Sequence, residues 1–217
     1  DVEGTFSLLE QCRKRQIRFV FMSTCMVYAR ASNDEGIDET HATLPASPYA
    51  AAKLTGENFT LAYFHAYGLP TTVIRPFNTY GPFQKTSGEG GVIAIFLKLA
   101  LQKKMLQIYG EGSQTRDFLY VEDCADFVVQ AGLNDAAIGK IINAGSGNDI
   151  SINDLASIIQ PDANRIQHVA HIHPQSEIQK LLCNPKLACD LLKWQPKTSL
   201  QEGLRHTQKW IEQNFDL

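Results

Sequence analysis

The chain has 217 residues, 44% of them hydrophobic, with a formal charge of -3 and a pI near 6.1. That length fills one large domain or two small ones, and so weak a charge excludes the broad basic field that binds nucleic acid or an anionic membrane. No apolar run approaches the ~18 residues that cross a bilayer, and Asp1-Val2-Glu3-Gly4-Thr5 lacks a leader's basic and apolar regions, so a soluble protein is expected.

Residues 2–14 carry Phe6, Leu8, Leu9 and Cys12 at helical spacing and end in Arg13-Lys14-Arg15, where positive charge suits a helix C-terminus. The chain opens inside this helix without a Met, which predicts a fragment of a longer protein. Ile17-Arg18-Phe19-Val20-Phe21-Met22 is β-branched and aromatic and stops at Ser23-Thr24, the pattern of a buried parallel strand. Ser47, with Pro48 behind it, caps a long helix that Gly68 closes. Residues 69–75 form the next strand, giving the alternation of an open α/β sheet, whose ligands bind at the carboxyl ends of strands. Further helices are predicted near 92–102, 122–133, 151–160, 185–192 and 199–214. Strands are predicted at 107–109, 118–120, 140–143 and 166–172, with a Gly-rich loop at 87–91.

Tyr49 and Lys53 stand four positions apart in the long helix and therefore on one face. A phenol with an ordinary pKa of about 10 is a poor base, and a neighbouring cation favours its charged form. Such a pair can move protons; it also occurs on surface helices with no role. Thr24 follows the first strand, where its hydroxyl can steady a substrate oxygen or merely satisfy the strand end.

These residues carry a resemblance. The strand with Ser23-Thr24-Cys25-Met26-Val27-Tyr28, then Tyr49-x-x-x-Lys53, the Arg75-to-Pro82 segment, Thr115-to-Asp123, the Asn143-Ala-Gly-Ser-Gly147 turn and Trp194-Gln-Pro196 follow one another. In that order they resemble the extended short-chain dehydrogenase/reductases, and within them the NAD-dependent nucleotide-sugar epimerases and dehydratases. The resemblance implies a doubly wound parallel, Rossmann-type sheet with a smaller mixed α/β substrate domain. Residues 1–82 would belong to the dinucleotide-binding part, 115–146 would return to it in part, and 83–217 would mainly hold the nucleotide sugar. It implies Thr24, Tyr49 and Lys53 as the catalytic triad, with Tyr49 moving the proton at a sugar hydroxyl and Lys53 also reaching the nicotinamide ribose. Ser23, Pro76 and Phe77 are implied beside the cofactor, NAD with NADP left open. Asn78 and Arg116 are implied on the sugar diphosphate, where a guanidinium fork matches phosphate oxygens; the plainer reading of Arg116 is an ion pair with Asp117 or Asp123. A homodimer through helices 2–14 and 47–67 is also implied.

Three departures qualify the likeness. The family's opening strand and glycine fingerprint are absent, so roughly a hundred residues of the doubly wound sheet are expected upstream of Asp1. Cys25 and Met26 stand where the family's 4,6-dehydratases place an Asp-Glu pair, which favours a 4-epimerase working through a 4-keto sugar. A dehydratase drawing a carboxylate from elsewhere, such as Glu89, remains the alternative, as does a catalytically inert fragment. His173-Pro-Gln-Ser-Glu177 replaces the Arg-Pro-Gly-Asp of many relatives, which puts His173 at the nucleotide phosphate or ribose.

The five cysteines include no C-x-x-C pair, which fits reduced thiols in a cytosol. Cys124 and Cys189 read as small core residues. His168, His171 and His173 are not expected to bind metal: in a strand the last two share a face that the first does not, and no Cys or carboxylate clusters beside them.

Overall fold

The computed structural model describes residues 2–31, 35–87, 91–171 and 177–215. Helix α1 (Val2–Arg15) leads to strand β1 (Phe19–Met22), a 3-10 turn at Cys25–Val27, helix α2 (Pro48–Tyr67) and strand β2 (Thr71–Pro76). Local chemistry sets the ends of α2. The Ser47 hydroxyl accepts from Ala50 N at 3.2 Å, Pro48 occupies the first turn, and Gly68 closes the helix at φ 65°, a left-handed conformation that glycine adopts without steric cost.

Strand β2 is buried throughout and runs parallel to β1, Phe19 against Thr71 and Met22 against Ile74. Its other edge pairs in parallel with β6 (Ile141–Ala144), giving the order β1-β2-β6. Side chains alternate across such a sheet. Phe21 and its neighbour Val73 face α2, and Ile74 faces α4 (Val121–Leu133), packing with Cys124, Phe127 and Ala131. Contact with α2 is close at Gly56, where a Cβ would lie 2.3 Å from Phe21 Cζ. Glycine in mid-helix costs about 1 kcal/mol of propensity, and here it lets the helix settle on the sheet.

The second half builds on β5 (Thr115–Tyr120), parallel to β3 (Asn78–Tyr80) and β9 (Lys180–Leu181) and antiparallel to β7 (Asp149–Ser151). Strand β4 (Leu106–Tyr109) pairs in parallel with β8 (Ile166–Val169). Helices α3 (Val92–Leu101), α5 (Ile152–Ile159) and α7 (Leu200–Asn214) close over a core of Phe96, Leu97, Leu106, Ile108, Phe118 and Leu155. Helix α6 (Lys186–Leu192) turns Ala188 and Leu192 to the first sheet, where Trp194 meets Phe127 edge to face with ring centroids 5.0 Å apart. The result is the α/β, parallel-sheet architecture expected from the alternation of elements.

Several details differ from the sequence reading. The strand expected over 166–172 ends at Val169, because β4 offers partners only that far; the tail of that range lies outside the described residues. Cys124 is buried, as expected, but Cys189 is exposed, at the edge of the α6 face that buries Ala188 and Leu192. In α1 Leu9 is fully buried, whereas Phe6 and Leu8 are exposed.

A polar tie joins α1 to α2. Glu10 accepts from Arg13 Nε at 3.1 Å and from the Tyr63 hydroxyl at 2.6 Å. The Arg13 hydrogen bond, then that from Tyr63, holds the Glu10 carboxyl down at about 2. A carboxyl lowered on folding stabilises above its unfolded pKa of about 4.3, and loses that contribution as pH falls through the folded value. Glu10→Gln should therefore lower the urea midpoint at pH 7, and the gap to the parent protein should narrow at pH 3. A gap of equal size at both pH values would show that the ionised carboxylate is not its source.

Candidate active site

Residues 22–24 leave β1 at its carboxyl end, and each is fixed by a different bond. The Met22 carbonyl accepts from Lys53 Nζ at 3.1 Å. Ser23 N donates to Ile74 O at 2.8 Å, while its buried hydroxyl donates to Glu57. The Thr24 hydroxyl accepts from Met26 N at 3.2 Å and caps the 3-10 turn. Lys53 thereby brings α2 to the tip of β1. Its Nζ lies 5.9 Å from the Tyr49 ring centroid and 5.5 Å from that of Phe21. Tyr49 is 52% exposed, so its phenol is open to a ligand. Tyr28 differs: burial pushes its phenol up, and its hydroxyl donates to Asn143 Oδ1 at 2.7 Å.

Glu57 continues the face of Tyr49 and Lys53 by one more step of four, and sequence reasoning passed over it. The spacing was the available signal. The carboxylate is 1% exposed and pairs with Arg75, 3% exposed, whose Nε donates at 2.9 Å and whose second nitrogen donates at 2.5 Å. The Arg75 guanidinium lies 4.6 Å over the Tyr28 ring. Ser23, expected beside a cofactor, is buried with its hydroxyl turned inward to this pair.

Pro76 ends β2 and Phe77 is buried just beyond it. Asn78 follows on β3, and its buried Oδ1 accepts no hydrogen bond from the described residues. Asn78 lines a cavity of about 380 Å³ together with Gln107, Tyr109, Gln114, Arg116 and His171. Arg116 pairs with neither acid expected of it. Asp117 instead accepts from Ser146 N, Ser146 Oγ, Gly147 N and Cys183 N, and Asp123 accepts from Lys197 N and Thr198 N. The partner of Arg116 is Glu177, whose other oxygen meets His171 Nε2 at 2.5 Å. One guanidinium nitrogen is held by the carbonyls of Thr115 and Ile178, each at 2.7 Å. His173 and Glu89 lie outside the described residues. His168 Nδ1 meets Gly110 O at 2.9 Å, and among the described residues no group of three His, Cys, Asp or Glu side chains could hold a metal ion. No helix among them is long and apolar enough to cross a membrane.

Residues 1–145 match the NAD dependent epimerase/dehydratase family. The chain is 32% identical over 220 residues to a UDP-glucuronate 4-epimerase of Thermodesulfobacterium geofontis, a match that takes in all of this chain and 66% of that protein. The chain belongs to the NAD-dependent epimerase/dehydratase family. Among solved structures, Pal from Bacillus thuringiensis is 60% identical with a TM-score of 0.96, covering 98% of this chain and 68% of that one. The dTDP-glucose 4,6-dehydratase of Bacillus anthracis, solved with NAD, is 28% identical with a TM-score of 0.90, covering 98% and 67%. The chain thus spans about two thirds of the length of these relatives.

An ammonium stands at the tip of β1, Pro76 and Phe77 stand at the tip of β2, and the Tyr49 phenol near Lys53 is half exposed. Cys25, directly after Thr24, is 3% exposed, and burial pushes its thiol up to about 12. Only thiolates alkylate quickly. Iodoacetamide at pH 8 should therefore modify Cys189 in the folded protein and leave Cys25, Cys124 and Cys183 intact until denaturant is added. Peptide mass mapping that found Cys25 modified as fast as Cys189 would contradict this burial.

Proposed function

We propose that this family member is a nucleotide-sugar 4-epimerase working through a 4-keto sugar, with Tyr49, Lys53 and Thr24 as its proton-transfer site. The observation that carries the reading is the meeting of Lys53 with the carboxyl end of β1 beneath an accessible Tyr49. Bound NAD would supply hydride transfer from and back to C4 of the sugar. Tyr49 takes the C4 hydroxyl proton as the ketone forms and returns it when the alcohol is remade on the other face. Lys53 holds positive charge beside that phenol and, with Pro76, Phe77 and the backbone of Ser23, lines the nicotinamide end. The Thr24 hydroxyl holds the reacting oxygen. Arg116 and Asn78 take the sugar diphosphate in the cavity they share, where the unmatched Asn78 oxygen accepts a ligand hydroxyl.

Epimerisation is favoured over dehydration because loss of water from C5 and C6 needs an acid and a base beyond Tyr49. Cys25, where a dehydratase carboxylate would stand, is a buried thiol pushed up by desolvation, and Met26 cannot transfer protons. The dehydratase reading is the second one, and the likeness to the Bacillus anthracis enzyme favours it. Incubation of the protein at its natural length with NAD and a panel of UDP- and dTDP-sugars decides between them. NMR of the products should show the C4 epimer, whereas a 4-keto-6-deoxy sugar would replace the first reading by the second. A homodimer through α1 and α2 belongs to the same proposal and is supported by exposed Phe6, Leu8 and Tyr67; sedimentation should give twice the monomer mass.

A further inference from the structure

The buried ion pair of Glu57 with Arg75 is used by none of the proton steps above, yet it lies directly behind them. Burying a charged pair costs desolvation that its own attraction barely repays, so such a pair is poor evidence of a gain in stability. Its bonds point to another use. Glu57 follows Lys53 on α2 by four residues, and the same carboxylate that receives Arg75 also receives the Ser23 hydroxyl. Ser23 is the residue between Met22, whose carbonyl holds Lys53, and Thr24. Arg75 follows Ile74 on β2, whose carbonyl receives Ser23 N at 2.8 Å. Lys53 and Glu57 of α2 thus hold Met22 and Ser23 in turn, and Arg75 of β2 holds Glu57.

We infer that Ser23, Glu57 and Arg75 form a positioning triad that sets the height of Lys53 and Thr24 against Tyr49. The inference deepens the reading of Tyr49 and Lys53 as the proton-transfer site and rests on it. Glu57 clamps Ser23, which fixes the Met22 carbonyl on one side and the Thr24 hydroxyl on the other. Arg75 covers both oxygens of Glu57, so the third member of the Tyr49, Lys53, Glu57 row brings no uncompensated negative charge to compete with Tyr49 for the ammonium. The Ser23 hydroxyl is therefore a positioning group for the reaction and not a ligand of the cofactor.

Ser23→Ala tests this with little disturbance, since Glu57 keeps both bonds to Arg75. In the protein at its natural length, loaded with NAD, kcat for the nucleotide sugar that it turns over should fall ~10- to 100-fold, the cost of a misplaced reacting group. KM should stay within about twofold, because Arg116 and Asn78 are untouched, and the thermal midpoint should shift by only a few degrees. Glu57→Gln, which weakens the bonds to both Ser23 and Arg75, should lower kcat in the same direction and lower the thermal midpoint further than Ser23→Ala. A Ser23→Ala enzyme with kcat within twofold of the parent, beside an inactive Tyr49→Phe enzyme, overturns the triad and leaves the proton-transfer site standing. A kcat loss matched by an equal loss of folded protein also overturns it. If Tyr49→Phe itself stays active, the reading of the site fails first and takes the triad with it.

Discussion

Tyr49→Phe should lower kcat by ~10²- to 10⁴-fold, the usual contribution of a positioned acid or base, without unfolding the protein. The two halves of that expectation come from different observations. Tyr49 is 52% exposed, so removing its hydroxyl leaves no buried group unmatched, and surface changes of this kind usually stay within ~0.5 kcal/mol. The chemical loss follows from Lys53. Its ammonium is tied to the Met22 carbonyl and lies by the Tyr49 ring, so the cation that a working phenol needs is already in place. Tyr28, the phenol nearest in sequence after β1, cannot take this role: it lies under Arg75 and burial pushes its phenol up. Steady-state kinetics beside a thermal melt checks both halves. A variant that kept more than a tenth of the parent kcat would remove Tyr49 from the mechanism.

The second large effect concerns stability. Arg75→Ala should cost ~3–5 kcal/mol, because it strands the Glu57 carboxylate in the interior. Glu57 is 1% exposed and, among the described residues, has only Ser23 left to donate to it. Replacing both charges, as Arg75→Met with Glu57→Leu, should recover most of the loss, since an apolar pair of similar size avoids the desolvation altogether. Urea denaturation of the single and double variants gives the numbers. A single variant within about 1 kcal/mol of the parent would mean that water reaches Glu57 and that the pair is not buried in solution. The double variant has a further use. If it folds well and still turns over poorly, the charges serve placement of the site and not stability.

Much of this was legible in the sequence, and particular residues show why. Helix α2 carries its own boundaries in Ser47, Pro48 and Gly68, so it could be placed to within a residue. Strand β2 is buried throughout, and the β-branched and aromatic residues of β1 and β6 mark them as strands in a parallel sheet. Strands β3, β7 and β9 were not foreseen. They are two or three residues long, too short for a period, and exist because β5 offers them backbone partners. Tyr49, Lys53 and Thr24 were named from spacing and from the strand end. Glu57 was missed because a carboxylate on a helix is expected in water, and only tertiary packing puts it under β2. The partner of Arg116 was missed for a related reason: Asp117 and Asp123 are near in sequence but their carboxylates are engaged by backbone amides. Glu177 arrives from 61 residues away, a distance that no local pattern spans.

The central claim is hydride removed from C4 and returned to C4 under proton control by Tyr49. It is tested most directly with a nucleotide sugar carrying deuterium at C4, turned over by the protein at its natural length and analysed by NMR. The account predicts a C4 epimer that keeps its deuterium at C4. A 4-keto-6-deoxy product with the deuterium at C6 would contradict it.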